Sequence, residues 1–248
     1  MKRVTVLTGV LVTLLISSLT SLGQTQSREE VLEKIKAKRA ELLALEKTYL
    51  APTQEDQARY AEFISAPNSG LVRLLPREKF DTEAYTDRDR AIITRGGGAY
   101  YSFTTLTHEY GAASDIELGN DEFSVGFAGW NHGFLTNLGD VPLERVADSP
   151  LVGIFATYKP PRDEPPVRAE QRRFGMGTQL ENVSVKSRVP VKLNSTYLLR
   201  SVTYHAADVL VAFRVVRIDS DGSVTILWKL LDKFPTPDTN RSQAVVGQ

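Results

Sequence analysis

The chain has 248 residues, 30 Lys and Arg against 30 Asp and Glu, 42% hydrophobic residues and no cysteine. Balanced charge gives no electrostatic reason to hold nucleic acid or an anionic membrane surface, so no nucleic-acid partner is expected. Without cysteine there is no disulfide, thiol nucleophile, Cys-ligated zinc or iron–sulfur cluster, and packing alone must stabilise the fold.

Residues 1–23 read as a cleavable signal peptide. Lys2 and Arg3 form a positive start, Val4 to Ile16 an apolar run, and Ser21 and Gly23 the small residues before a cut at Gln24. The alternative is a retained anchor. An apolar run of about 13 residues spans roughly 20 Å as a helix, short of a hydrocarbon core near 30 Å. The expectation is therefore export, to the periplasm or the extracellular space, with no membrane span after cleavage.

Residues 24–66 read as helical. Ser27-Arg28-Glu29-Glu30 fits a capping box, and strong helix formers continue to about Tyr49. Two apolar seams compete: Leu32, Ile35, Leu42 and Tyr49, interrupted by Arg39 and Glu46, or Val31, Ile35, Leu42, Leu45 and Tyr49. A coiled coil would cover only about three heptads. The helix is expected to pack on its own domain or a neighbouring short helix, with oligomerisation as the alternative. Ala51-Pro52 ends it, and Thr53 caps a second helix over Gln54 to Ile64. Residues 67–90 read as a connecting loop.

From residue 91 to 234 the helical period gives way to short runs of Val, Ile, Thr, Tyr and Phe between turn residues. Strands are expected over Ala91 to Thr94, Ala99 to Thr104, Asp115 to Leu118, Glu122 to Phe127 and Leu151 to Tyr158. Pro160 to Pro166 reads as a stiff loop. Val183 to Leu193 alternates cleanly, and Pro190 makes it an edge or bulged strand. Thr196 to Tyr204, Asp208 to Ile218 and Ser223 to Leu231 form an antiparallel meander turned by Asp219-Ser220-Asp221-Gly222. Residues 235–248 read as a disordered tail. The expected fold is mainly β: a single antiparallel β-sandwich or jelly-roll-like domain behind the signal peptide and one or two helices.

Catalytic templates fail one by one. His108-Glu109 begins an H-E-x-x-H zinc motif, but Ala112 stands where the second histidine belongs. Arg95-Gly96-Gly97-Gly98 lacks the Lys-Ser/Thr of a phosphate loop, and no G-x-S-x-G elbow occurs. No metal and no cofactor are expected.

Gly126 to Asp140 is the most unusual stretch, with four glycines, an Asn-His pair, Trp130 and Phe134. Read as a loop, it places Trp130, Asn131 and His132 beside Tyr101, His108 and Tyr110 in a ligand-binding patch suited to a sugar ring or a protein partner. The competing account is a buried loop whose aromatics close one end of the body. The leading expectation is an exported, non-catalytic protein that binds a carbohydrate or a protein. The alternatives are an extracytoplasmic hydrolase using His108, Glu109 and His132, and a structural envelope component that oligomerises through its N-terminal helix.

Overall fold

The computed structural model describes residues 27–78, 98–108, 110–111 and 113–240. The signal-peptide segment, the strand expected over Ala91 to Thr94, Glu109 and the tail beyond 240 lie outside these residues. The chain divides into two units, Met1–Leu42 and Leu43–Gln248. Among the described residues, no helix is long and apolar enough to cross a membrane.

Helix α1 (Arg28–Tyr49) opens on a reciprocal cap. Ser27 Oγ accepts from the Glu30 N–H at 3.1 Å, and Glu30 Oε2 accepts from the Ser27 N–H at 3.2 Å. None of its residues is buried, and Val31, Leu32, Ile35 and Leu42 stay 40%, 50%, 44% and 40% exposed. Both seams are broken by charge, at Arg39 and Glu46 in one and Lys38 in the other, so each apolar stripe is narrow.

The second unit is mainly antiparallel β with a few helices. Helices α2 (Gln54–Arg59) and α3 (Ala61–Ile64) divide at Tyr60 the single helix expected there. Among the described residues the strands are β1 (Ser69–Leu74), β2 (Tyr100–Tyr101), β3 (Ile116–Leu118), β4 (Glu122–Ser124), β5 (His132–Gly139), β6 (Thr178–Leu180), β7 (Val183–Val185), β8 (Arg188–Pro190), β9 (Thr196–Thr203), β10 (Ala207–Ile218) and β11 (Val224–Lys233). One sheet has the order β1-β11-β10-β9-β5, a second β2-β3-β4-β8, and β6 pairs with β7.

The five-stranded sheet is buried on both faces, which explains why β10 is apolar along most of its length. On one face Leu135, Tyr197, Leu199, Val211, Phe213 and Trp228 meet Ile116, Leu118 and Phe123 of the four-stranded sheet. Phe123 sits edge-on to Phe213 at 5.0 Å and to Tyr197 at 5.4 Å. On the other face Phe134, Leu198, Leu210 and Leu227 pack on α4 (Pro150–Ala156) and α5 (Glu164–Met176) through Phe155 and Phe174. The Arg217 guanidinium holds Asp56 of α2 at 2.6 and 3.1 Å, tying the helical segment to β10.

Six expectations are corrected. Most of the expected strand Leu151 to Tyr158 is instead helix, Pro150–Ala156, because Pro150 sits in the first turn, where a missing N–H costs nothing, and Ser149 caps Leu151. The same rule starts α5 inside the supposed proline loop, with Pro165 and Pro166 in its first turn. Residues 69–74 form β1 rather than a connection, and residues 132–139 form β5 rather than a loop. Val183 to Leu193 divides into β7 and β8, which join different sheets. Of the expected tail, residues 237–240 are tied down: Pro237 O accepts from His205 N–H at 3.0 Å, and Arg162 O from Asn240 N–H at 2.9 Å.

Between the helices and β9 lies a buried ion pair. Arg200 and Asp208 are 1% and 2% exposed, and Arg200 Nε and Nη2 donate to the two Asp208 oxygens at 2.6 and 2.9 Å. Arg200 Nη1 also donates to Phe155 O at 3.1 Å. Burial pushes the Asp208 carboxyl up, and Arg200 pulls it back. Asp208→Ala should cost roughly 3–5 kcal/mol in urea unfolding, because it strands a buried cation. Replacing both residues with apolar ones of similar volume should cost far less.

Candidate functional site

The six expected ligand residues do not form one patch. Trp130 stacks edge-on to Tyr204, and His132 contacts Tyr158, Phe174 and Tyr204. Tyr101 contacts His108, Phe103 and Trp228, whereas Tyr110 contacts Tyr100 and Phe127. Asn131 and His132 are buried, at 7% and 2% exposure, and Trp130 is half-buried. Among the described residues, no three His, Asp or Glu side chains cluster as a metal site would require.

The His132 group ties strand to helix. The Tyr158 hydroxyl donates to Glu170 Oε2 at 2.8 Å and meets His132 Nε2 at 2.9 Å, and Arg173 Nη2 donates to the same Glu170 oxygen at 2.6 Å. Since Tyr158 has one proton and gives it to the carboxylate, the bonding assigns a proton to His132 Nε2. Gln171 Nε2 donates to the carbonyls of Gly129 and Asn131 at 3.0 and 2.8 Å, strapping the glycine-rich segment onto α5. Burial lowers the His132 pKa to about 4, against the pull of the Trp130 backbone and Glu170.

Two of the expected residues, Tyr101 and His108, line a cavity of about 520 Å³ elsewhere in the second unit. Its construction starts at Gly70, where a Cβ would lie 2.6 to 2.8 Å from the Trp228 indole. The missing side chain lets Trp228 lie against β1, with Phe103 at 5.4 Å and Tyr101 at 6.3 Å. From Ser102 the chain turns tightly back to Thr107, and Ser102 O accepts from Leu106 N–H at 2.9 Å. This turn holds Leu106 at φ 57° while leaving it 59% exposed. A leucine in the left-handed region carries strain, which native structures keep mainly where another constraint demands it.

The cavity is lined by both Leu71 and Val72. Successive strand residues point to opposite faces of a sheet, so a space touching both wraps round the strand's edge. β1 is an end strand of the five-stranded sheet. Asn68 O accepts from Leu230 N–H, so the even-numbered backbone groups face β11. Arg73 O accepts from His108 Nε2 at 2.9 Å, and Leu75 N–H donates to Gly98 O at 3.2 Å, so the odd-numbered groups face outward. Among the described residues, nothing pairs with the outward N–H and C=O of Leu71 or the N–H of Arg73. The opposite edge strand, β5, is partly covered: Leu135 and Lys186 exchange backbone bonds at 2.8 and 3.1 Å.

Leu43, Leu50 and Ile64 complete an apolar lining, and Leu43 and Leu106 are 54% and 59% exposed. Burial lowers the His108 pKa and the Arg73 carbonyl raises it, which favours the neutral ring as a donor to the strand edge. The chain matches no family model, no curated protein and no solved structure. The groove is therefore read from its own chemistry. It offers mainly apolar walls, with Glu46, Lys47, Gln57, Thr107 and His108 also on the lining, and strand-edge donors and acceptors. Neither the cavity nor β1 was found from sequence. The available signal was the pair Gly70 and Trp228, a strand glycine and a large aromatic, but nothing in the sequence says that they face each other.

Two buried groups give opposed pH dependences. His132 takes its proton near pH 4 when folded and near 6.5 when unfolded, so stability should fall by on the order of 3 kcal/mol as pH drops from 6.5 to 4. Burial raises Asp115 to about 6 from 3.8, although its Oδ2 accepts from Phe103 N–H at 2.8 Å. The folded state then holds the extra proton, and stability should fall as pH rises from 3.8 to 6. Unfolding curves of His132→Gln should lose the first slope. Those of Asp115→Asn should lose the second and give a higher Tm above pH 6.

Proposed function

We propose that this is an exported, non-catalytic binding protein that takes an extended apolar segment of a protein partner along the β1 edge. Two facing sheets would serve as a β-sandwich scaffold for that edge. The observation that carries the reading is the groove lined from both sides of β1, with the Leu71 backbone groups turned into it. A segment laid there would gain main-chain hydrogen bonds from Leu71 and Arg73 and apolar contact from alternate side chains, which is strand addition. Leu43 and Leu106, exposed on its lining, would be covered by the same event. The export part rests on the N-terminal sequence alone. A sugar is the weaker candidate, because Asn131 and His132 are buried and most of the groove's exposed lining is apolar.

Capped heptapeptides alternating valine and threonine provide the test, with copies N-methylated at every second amide as controls. Plain peptides should protect the Leu71 and Arg73 amides from hydrogen exchange, and methylated copies should not. Leu43→Glu and Leu106→Glu should each weaken calorimetric affinity about tenfold or more, the equivalent of losing roughly 1.4 kcal/mol of apolar contact. Leu106→Gly should raise stability by about 1 kcal/mol by relieving its backbone, while still weakening binding. Equal binding of methylated and plain peptides, or no protection at either amide, would end the strand-addition reading.

A further inference from the structure

We infer that α1 pairs with α1 of a second copy of this chain, antiparallel, through Val31, Ile35 and Leu42. The helix has 22 residues and buries none of them. Helical stability in proteins comes mostly from covering an apolar face. Val31, Lys34, Ile35, Lys38, Arg39 and Leu42 line one shallow depression on it. Val31, Ile35, Lys38, Leu42 and Leu45 follow a four-three spacing, the core positions of a two-helix seam.

Charge beside that seam chooses both the occupant and its direction. Lys34 and Glu41 precede core positions, and Arg39 and Glu46 follow them. Parallel pairing in register would set Lys34 against Arg39 and Glu41 against Glu46 of the second copy, all like-charged, and would face Lys38 with its own counterpart. Antiparallel pairing with Val31 opposite Leu42 sets Ile35 opposite Lys38 and brings Lys34 beside Glu41, twice by symmetry. The only charged partner recorded for Glu41 is the exposed Lys38, at 2.6 Å within its own helix, and such a pair is cheap to exchange. One helix thus carries complementary charges at the positions that only an antiparallel copy of itself would bring together. A different protein would have no reason to match that spacing. The inference does not depend on the β1 groove.

Sedimentation equilibrium of the purified full chain tests it, over concentrations up to about 100 μM, enough to detect a contact of only 5–6 kcal/mol. The expected result is a reversible dimer. Ile35→Asp should return the monomer mass, and Lys34→Glu should weaken the dimer several-fold. Lys34→Glu combined with Glu41→Lys should restore it. The thermal transition should be the same in every variant, because residues 28–42 bury nothing whose loss could unfold the second unit. A monomer throughout, or a dimer indifferent to Ile35→Asp, would overturn the pairing. A tighter dimer for Lys34→Glu would overturn the antiparallel arrangement, since a glutamate there would then be facing Arg39.

Discussion

Gly70 against Trp228 is the contact on which the β1 edge depends. Any side chain at position 70 would meet the indole within 3 Å, so β1 would be pushed off β11 or Trp228 turned out of the core. With hydrogen alone at that site, β1 closes the sheet, Tyr101 and Phe103 rest on the indole, and the Ser102–Thr107 turn is held beside the strand. His108 then reaches Arg73 O and takes up one outward group of the edge. Leu71 is left with its backbone facing an apolar space. An edge strand in that state is ordinarily a liability, which proteins blunt with charge, proline or a covering loop. Among the described residues, the cover reaches the C-terminal half of β1, through His108 and Gly98.

The opposite face of the same sheet solves a different problem. Polar groups there are buried in paired sets, with Arg200 bonded to Asp208 and Phe155 O, and Tyr158 to Glu170 and His132, while His132 Nδ1 and Arg173 Nε have no partner among the described residues. A buried charge without its partner would cost several kcal/mol, so these sets fix how α4 and α5 sit on β5 and β9 more than they add net stability. His132 and Tyr158, with Glu170, tie β5 to α5.

Helix α1 links the two proposals along the chain. Its residues up to Leu42 carry the unburied stripe, and Leu43, Glu46 and Lys47 of the same helix line the groove. Pairing two copies would double the number of binding edges in one particle, and a partner presenting repeated segments would then be held by both at once.

The antiparallel meander β9 to β11 was legible because Val224, Ile226, Trp228 and Leu230 alternate without interruption, and Gly222, at φ 85°, marks its turn. β5 was hidden by Gly133 and Gly139, which read as loop although Gly133 is needed for close approach to the Arg200 carbonyl. α4 and α5 were hidden by prolines that punctuate when read singly but initiate when they fall in a first turn. The sequence by itself determined that this is a cysteine-free, mainly antiparallel β chain, because side-chain alternation is a local property that survives without knowing any partner. Which strand stands at the edge, which histidine meets a backbone carbonyl and which meets a tyrosine, and where a groove opens were decided only by tertiary structure. Those outcomes depend on contacts between residues as distant in the chain as Gly70 and Trp228, and no local pattern records such a pairing.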